Sequence, residues 1–314
     1  MIEVNITGQL GNQLFQYACA RQLQEIYGGK IVLNTYELCH KMPHFKLSLD
    51  DFILNQDVVI ENKKPLSKVN AEQFFVKVMR KFFPNLYFSI NAKRGIFIWG
   101  YSRIYKEIPR LKPSRRANIV LNGFWQSENY FENISEILRK ELQPKYPPIE
   151  RNKELYEKIK DTISVCVSIR RGDFLSPQHI KTFYVCDEDY FSRAMDRIKE
   201  LLPKCTFFAF SDDIAWVKDN VKFPGVVYYE SGNDPVWEKL RLMSSCKHFI
   251  LSNSSFSWWV QYLSNNEKKI VVAPDRWYNS GKNVRAAIYS NDWEIINANR
   301  NVKSRDDMCR DSVI

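Results

Sequence analysis

The sequence predicts an α/β protein with a parallel sheet in its carboxyl-terminal half. Apolar runs of strand length alternate with segments of helical spacing from about residue 163 to 273. Such alternation is typical of a parallel sheet with helices on both faces. Polar clusters follow three of the runs, at residues 170–173, 211–213 and 252–257. Because ligands bind beyond the carboxyl ends of parallel strands, these clusters predict a ligand site at one edge of the sheet.

The amino terminus shows the same order of strand, loop and helix. Residues 2–6 are predicted as a strand, and a helix is predicted from the glycine loop to Tyr27, where two glycines end it. Gly11 lets a ligand approach the backbone, and Asn12 and Gln13 carry amides that suit sugar hydroxyls. The loop matches neither a dinucleotide fingerprint nor a P-loop, and a tight structural turn explains it equally well.

Two adjacent arginines end the first strand of the carboxyl-terminal half. Arg170 and Arg171 follow the apolar residues 165–169, and Asp173 comes shortly after them. Because the backbone turns at a strand's end, both guanidinium groups are predicted to converge on one ligand. Guanidinium is always charged and binds phosphate through two parallel hydrogen bonds. Asp173 can orient an arginine or contact a sugar hydroxyl, and the alternative is an ordinary surface Arg–Asp pair.

The second apolar run ends in a serine and two aspartates. Ser211 is predicted to cap the helix over residues 214–220, since its hydroxyl can accept a hydrogen bond from the first turn. Asp212 and Asp213 resemble a metal-binding pair, but adjacent side chains diverge, which argues against that reading. A helix-capping role for one of the aspartates is a competing interpretation.

The third cluster is rich in serine. Ser254, Ser255 and Ser257 lie where a strand is predicted to meet a helix, and they offer hydroxyl and backbone N–H groups to a phosphate. Trp258 and Trp259 follow, and aromatic residues at such positions are predicted to pack in the core.

Composition limits the classes of protein to consider. The 314 residues exceed one typical domain, and the proline-rich residues 142–148 are predicted as the boundary. A net charge of +10 favours an anionic partner, but no zinc-finger or RNA-recognition signature supports nucleic acid. Seven cysteines without a C-x-x-C pair favour the reducing cytoplasm. Residues 69–83 are predicted as a basic amphipathic helix that contacts an anionic membrane or, as the favoured alternative, packs on its own domain.

Five sequence blocks occur in order along nearly the whole chain. They are Gly8-Gln-Leu-Gly-Asn-Gln-Leu-Phe-Gln-Tyr-Ala18, Asn122-Gly-Phe-Trp-Gln-Ser-Glu-Asn-Tyr-Phe131, Val167-Ser-Ile-Arg-Arg-Gly-Asp173, Phe210-Ser-Asp-Asp213 and Ser252-Asn-Ser-Ser-Phe-Ser-Trp-Trp259. Together they resemble the signature of the glycosyltransferase family 11 α-1,2-fucosyltransferases. One position departs from that family, whose members usually carry His two residues before the paired arginines, where this chain has Ser168.

The resemblance implies a GT-B fold, in which two Rossmann-like domains face each other across a cleft. Residues 1–148 would form the acceptor side and residues 149–314 would bind the donor. The implied reaction is inverting transfer of L-fucose from GDP-β-L-fucose to the 2-hydroxyl of a galactoside. The acceptor would be a galactose-terminated oligosaccharide or a lipid-linked glycan, such as an O-antigen unit, in the cytoplasm or at the inner face of the membrane. No cofactor or metal is expected, because an arginine would neutralise the β-phosphate.

The resemblance also implies roles for particular residues. Arg170, Arg171 and Asp173 would be catalytic, and Asp212 or Asp213 would accept the two N–H groups of the guanine edge. Trp125 and Gln126 would lie on the acceptor side, with a buried structural role as the alternative for Trp125. The implied donor-binding residues are Gly11, Asn12, Gln13, Ser168, Ser211, Asp212, Asp213, Asn253, Ser254, Ser255, Phe256 and Ser257. The sequence identifies no general base.

Two alternatives stay open. One is a GT-B transferase that uses another GDP-sugar. The other is a non-catalytic glycan-binding protein on the same scaffold. The paired arginines and the serine-rich loop argue against the second, since a lectin does not need to bind pyrophosphate.

Overall fold

The computed structural model describes residues 1–65, 78–79, 81–99, 118–279 and 288–298. They form two parallel β-sheets that follow each other along the chain, with helices packed around them. The basic helix predicted over residues 69–83 lies largely outside the described residues. None of the helices in the described ranges is both long enough and apolar enough to cross a bilayer.

The first sheet has five strands in the order β3-β2-β1-β5-β4, and all its pairs are parallel. Its strands are β1 (Ile2–Asn5), β2 (Ile31–Asn34), β3 (Val58–Glu61), β4 (Ile96–Trp99) and β5 (Ile119–Gly123). The helices of this half are α1 (Leu10–Tyr27), α2 (Tyr36–Lys41), α3 (Pro84–Lys93) and α4 (Ser135–Glu141). The predicted first strand and first helix are confirmed, and Gly28 ends the helix with a φ of +69°, which favours glycine.

The second sheet has six strands in the order β11-β10-β9-β6-β7-β8, again all parallel. They are β6 (Ile163–Ile169), β7 (Cys205–Ser211), β8 (Val227–Tyr229), β9 (His248–Ile250), β10 (Val271–Pro274) and β11 (Glu294–Ile296). The helices are α5 (Lys153–Asp161), α6 (Ile180–Phe183), α7 (Glu188–Leu201), α8 (Ile214–Asn220), α9 (Val236–Ser244) and α10 (Ser255–Tyr262). The predicted parallel sheet is therefore confirmed, and the proposed boundary at residue 148 lies in the connection between the two sheets.

The N-cap of α8 is not Ser211, as predicted, but the second aspartate, which confirms the competing interpretation. Ser211 is the last residue of β7, and its hydroxyl accepts a hydrogen bond from Asp213 N at 3.0 Å. Asp213 is the N-cap, because its Oδ1 accepts from Trp216 N at 3.3 Å. The turn after the strand is two residues longer than the sequence prediction assumed, so the capping oxygen comes from the second aspartate.

Aromatic side chains join the two halves. Phe15 of α1 packs on Trp258 and Trp259 of α10, with ring centroids 4.7 and 5.0 Å away. Phe131, from the segment after β5, stacks on Trp259 at 5.5 Å. Both tryptophans are buried, which confirms their predicted core role. Because α1 and α10 each begin directly after a sheet-edge loop, this packing places the loops of both sheets around one cleft.

Candidate active site

A cavity of about 740 Å³ lies where the carboxyl ends of the two sheets face each other. Loops after β1, β6, β7 and β9 contribute to its wall. It brings together most of the residues singled out from the sequence. These are Gly11, Asn12, Gln126, Ser168, Arg170, Asp173, Ser211, Asp212, Asn253, Ser254, Ser255, Phe256 and Ser257. Gln13, Trp125, Arg171 and Asp213 do not line it.

Arg170 is held at the cavity wall by partners from three loops. Its Nη2 donates to Asp173 Oδ1 at 2.6 Å and to Gln9 Oε1 at 3.3 Å. Its Nη1 forms an ion pair with Asp212 Oδ2 at 2.8 Å. Among the described residues, these contacts use three of the five guanidinium N–H groups, which leaves Nε and one proton of Nη1 for a ligand. Since Gln9 belongs to the first half of the chain, this contact also ties the two halves together at the cavity.

Arg171 does not converge with Arg170 on one ligand, as the sequence had suggested. Its guanidinium lies 3.2 Å from the ring centroid of Trp216 in α8. Asp213 Oδ2 and Glu188 Oε1 each lie 3.6 Å from its nitrogens. Consecutive side chains leave a strand's end in different directions. Arg171 therefore fixes α8 against the sheet, and of the two arginines only Arg170 lies at the cavity.

The two aspartates have structural partners as well. Asp212 Oδ1 accepts a hydrogen bond from Arg171 N at 2.9 Å, while Oδ2 pairs with Arg170. Gly172 allows this approach, because a Cβ at that position would overlap Asp212 Oδ2. Asp213 caps α8 and lies outside the cavity. Neither carboxylate presents a free pair of oxygens to a guanine edge, which weakens the role expected for them. In the described ranges, no group of three or more His, Cys, Asp and Glu side chains is arranged to hold a metal.

Gln13 and Trp125 have structural positions rather than ligand-facing ones. The Gln13 amide is fully buried, donates to Gly8 O at 2.9 Å and Lys46 O at 2.8 Å, and accepts from Ser48 N at 2.8 Å. The Trp125 side chain is 1% exposed, so the buried alternative holds for this residue. Asn12 and Gln126 do reach the cavity, where Gln126 Nε2 donates to Asn12 Oδ1 at 2.8 Å.

A network of hydroxyl and amide groups fixes the serine-rich loop after β9. Ser168 Oγ and Ser257 Oγ share a hydrogen bond of 2.7 Å, and Ser257 Oγ lies 3.0 Å from Ser252 Oγ. Asn253 Nδ2 donates to two backbone carbonyls, at 2.8 and 2.9 Å. These side chains hold the loop, while Ser254 and Ser255 stand at the start of α10 beside the cavity. Ser168 thus acts on the loop through a short hydroxyl contact where the family usually has an imidazole.

Gly11 serves the contact between the two halves. A Cβ on this residue would overlap the backbone nitrogen of Phe256 and the hydroxyl of Ser255. The first turn of α1 therefore packs directly on the first turn of α10. Gly11 therefore allows the close approach of a neighbouring helix and also lines the cavity.

Sequence reasoning missed an ion pair deep in the cavity wall. Glu230 follows β8, and its Oε1 accepts from Ser211 N at 2.7 Å. Its Oε2 lies 3.0 Å from Lys239 Nζ of α9, and Lys239 also donates to Ser211 O at 3.2 Å. Burial raises the pKa of Glu230, and Lys239 opposes that shift. Nothing in the sequence distinguishes these residues, because a charged residue after a strand and a lysine on an amphipathic helix are both common.

His179 is a second missed residue of the cavity. Its Nδ1 lies 3.2 Å from Asp173 O, and its ring meets the edge of Phe183 at 5.5 Å. A neutral imidazole whose Nδ1–H donates to that carbonyl has Nε2 free to accept a proton. The aromatic rings of Phe174 and Phe183, stacked at 5.5 Å, form the adjoining wall.

The sequence matches known proteins over most of its length. Residues 1–297 match the model of glycosyl transferase family 11. An α-1,2-colitosyltransferase from Escherichia coli is 32% identical over 291 residues, which cover 88% of this chain and 92% of that protein. The O-antigen biosynthesis glycosyltransferase WbnK from Escherichia coli is 24% identical over 299 residues, or 87% of this chain and 93% of that protein.

A solved structure shares the architecture. The NodZ α-1,6-fucosyltransferase from Bradyrhizobium, soaked with GDP-fucose, superposes with a TM-score of 0.50 at 15% identity, covering 90% of this chain and 97% of NodZ. At this identity the likeness concerns the fold alone, and it confirms the expected GT-B architecture of two Rossmann-like domains. With a cleft between two parallel sheets and a family match over residues 1–297, the chain belongs to glycosyltransferase family 11.

Proposed function

We propose that this glycosyltransferase moves L-fucose from GDP-β-L-fucose to the 2-hydroxyl of a galactoside, with inversion to an α-1,2 linkage. The observation that carries the proposal is the position of Arg170. Its guanidinium lies in the cavity between the two sheets, bonded to Gln9 of the first half and to Asp173 and Asp212 of the second. A fixed cation there suits the pyrophosphate of a nucleotide-sugar that spans the cleft.

The reaction then needs few groups. The bond from the sugar C1 to the β-phosphate oxygen breaks as the acceptor oxygen bonds to C1 from the opposite face. The charge that develops on the leaving GDP falls on Arg170, whose N–H groups are already oriented by two carboxylates. We propose that His179 Nε2 takes the proton of the acceptor hydroxyl. Arg170 takes the part that a metal ion plays in other transferases, so we expect no metal requirement.

One other sugar is a specific candidate for the donor. A relative that shares 32% identity is named an α-1,2-colitosyltransferase, and colitose is fucose without its 3-hydroxyl. The two donors would place the same nucleotide and the same C1 in the cavity. GDP-colitose is therefore the second donor to test, and it changes neither the linkage nor the role of Arg170.

We propose a polysaccharide unit carried on lipid as the acceptor, with the enzyme at an anionic membrane face. The name of WbnK, which covers 87% of this chain, supports an O-antigen unit. Phe82, Phe83, Leu86 and Ile90 are exposed large apolar side chains at or near the start of α3, and Lys81 and Lys93 flank them. Co-sedimentation with phosphatidylglycerol vesicles should weaken in Phe82→Ser/Phe83→Ser. Equal sedimentation of the wild type and the variant would show that this surface does not contact the membrane.

Product analysis tests the function directly. The purified chain is incubated with GDP-fucose, GDP-colitose or GDP-mannose and a panel of galactosides, and the linkage is assigned by NMR. We expect α-1,2 transfer to a terminal galactose from one of the first two donors. Transfer to a different hydroxyl, or only from GDP-mannose, would contradict the proposal. No transfer from any donor, with GDP still bound, would favour the non-catalytic alternative.

A further inference from the structure

Two phenylalanine rings form an aromatic wall in the cavity, and the proposed reaction gives this wall no role. Phe174 and Phe183 both line the cavity, and their rings stack at 5.5 Å with an angle of 26° between their planes. Both side chains are half-buried, so part of each ring stays open to the cavity. They belong to the donor half, in the segment between β6 and α7.

The aromatic wall extends from the proposed phosphate-binding group to the proposed base. The guanidinium carbon of Arg170 lies 5.6 Å from the centre of the Phe174 ring. At the other end, the His179 ring stands perpendicular to the Phe183 ring at 5.5 Å. Asp173 joins the same two ends, since its carboxylate pairs with Arg170 and its carbonyl oxygen lies 3.2 Å from His179 Nδ1.

The transferred sugar has to occupy the space between those two ends. In an inverting reaction, the leaving phosphate and the attacking oxygen lie on opposite faces of C1. A sugar whose phosphate contacts Arg170, and whose acceptor gives its proton to His179, therefore has its ring between them. That position is alongside the aromatic wall, while the acceptor meets the wall only at the His179 end.

An aromatic wall suits one substituent of fucose in particular. The hydroxyl groups on C2, C3 and C4 need hydrogen-bond partners, which a phenyl ring does not supply. The methyl group on C5 instead gains free energy when it leaves water. Colitose carries the same methyl group, so either donor named above presents it. The surroundings are poor in water, because burial raises the pKa of Tyr278, whose ring meets Phe183 at 5.6 Å, to about 12.

We infer that Phe174 and Phe183 bind the C6 methyl group of the donor sugar and select a 6-deoxy sugar against one with a 6-hydroxyl. The inference rests on the proposed function, because the roles of Arg170 and His179 define where the sugar lies. GDP-L-galactose is the matched comparison, since it differs from GDP-L-fucose only by a hydroxyl group on C6. Its binding would place that hydroxyl against the phenyl rings without a partner, which costs free energy.

Calorimetry with GDP, GDP-fucose and GDP-L-galactose tests the inference. Wild type should bind GDP-fucose at least about tenfold more tightly than GDP-L-galactose, as expected when a hydroxyl is buried without a hydrogen bond. Phe174→Gln and Phe183→Gln each offer an amide to that hydroxyl, so each should bind the two nucleotide-sugars within a few-fold of each other. The affinity for GDP, which carries no sugar, separately reports any disturbance of Arg170.

Matched variants separate the polarity of the wall from its size. Phe174→Leu and Phe183→Leu resemble the glutamine variants in size but cannot bond to a hydroxyl, so they should keep the preference for GDP-fucose. Tyr278→Phe removes the neighbouring phenol hydroxyl and should also keep it. Phe223→Gln changes a half-buried phenylalanine of the same half that does not line the cavity, and it should bind like wild type.

The contrary outcomes differ between the inference and the proposed function. Equal affinity of wild type for GDP-fucose and GDP-L-galactose would overturn the inference and leave the proposed function intact. A preference for GDP-fucose that persists in both glutamine variants, or that Tyr278→Phe abolishes, would place the methyl group elsewhere and overturn the inference as well. If wild type binds neither GDP nor GDP-fucose, the proposed function fails, and the inference fails with it.

Discussion

At the scale of single residues, Arg170 and Arg171 are neighbours in the sequence but contact different parts of the protein. Both are always charged, and both follow the same buried strand. Arg170 turns towards the cleft, where three polar side chains from two halves of the chain hold it. Arg171 lies flat on Trp216 and pairs with two carboxylates at 3.6 Å. The catalytic role that we propose therefore belongs to Arg170 alone.

Alanine variants separate the two roles. Arg170→Ala should keep its fold and lose about a hundredfold or more in kcat, since it removes a contact to charge that develops in the transition state. Arg170→Lys should recover little of this, because an ammonium lacks the planar fork. Arg171→Ala should lower the melting temperature, with kcat within a few-fold of wild type. Steady-state kinetics beside thermal melts makes the comparison, and the reverse ranking of the two alanine variants would contradict the assignment.

The imidazole of His179 can be tested with its closest isostere. In His179→Asn the amide nitrogen can still donate to Asp173 O, but no group remains to accept the proton of the acceptor hydroxyl. We expect kcat to fall by about a hundredfold or more while KM for the donor changes little. Full activity in the variant would mean that a phosphate oxygen takes the proton.

At the scale of elements, the turn between β7 and α8 connects the proposed donor site to the sheet. Ser211 bonds to Glu230 and Lys239, Asp212 bonds to Arg170 and the backbone of Arg171, and Asp213 caps the helix. Three consecutive residues thus anchor three different parts of the site. A substitution of the helix-capping residue should therefore lower the stability of the fold and affect ligand binding only indirectly.

Two substitutions of Asp213 test this expectation about the helix cap. Asp213→Ala removes the oxygen that accepts from Trp216 N and should destabilise the fold by about 1 kcal/mol. Asp213→Asn keeps a capping oxygen and should be nearly silent. Affinity for GDP should stay close to wild type in both. A large loss of GDP affinity in Asp213→Asn, with unchanged melting, would restore this residue as a reader of the guanine edge.

The contact between α1 and α10 lies at the wall of the cavity between the two halves. Gly11→Ala places a methyl group against the backbone of Phe256, which cannot move without shifting the start of α10. We expect a lower melting temperature and a higher KM for the donor. Gly225→Ala is a suitable control, because its methyl group would crowd the flexible end of Lys199 and make an ordinary contact with Phe207. Equal melting temperatures of the Gly11→Ala and Gly225→Ala variants would show that the first turns of α1 and α10 are not in tight contact.

At the scale of the whole molecule, periodicity predicted the second sheet and the first strand and helix, whereas the two-domain GT-B fold followed from the family resemblance. Neither gave the details of the site. Continuous apolar runs at β6, β7 and β9 predicted the parallel sheet, because strands buried on both faces need them. The polar clusters at strand ends predicted that a cavity would form there. The direction of each side chain depended on packing: Trp216 draws Arg171 away, and buried backbone groups engage Gln13. Glu230 and Lys239 are far apart in their local sequence patterns and meet only in the folded chain.

The central claim is that GDP binds between the two sheets through Arg170 without a metal ion. Calorimetric titration of GDP in the presence of EDTA, with wild type and Arg170→Ala, tests it most directly. We expect micromolar binding by wild type in EDTA and at least about a tenfold loss in the variant, since a charge-assisted contact is removed. Binding that disappears in EDTA and returns with manganese, or equal affinity of the two proteins, would contradict the account.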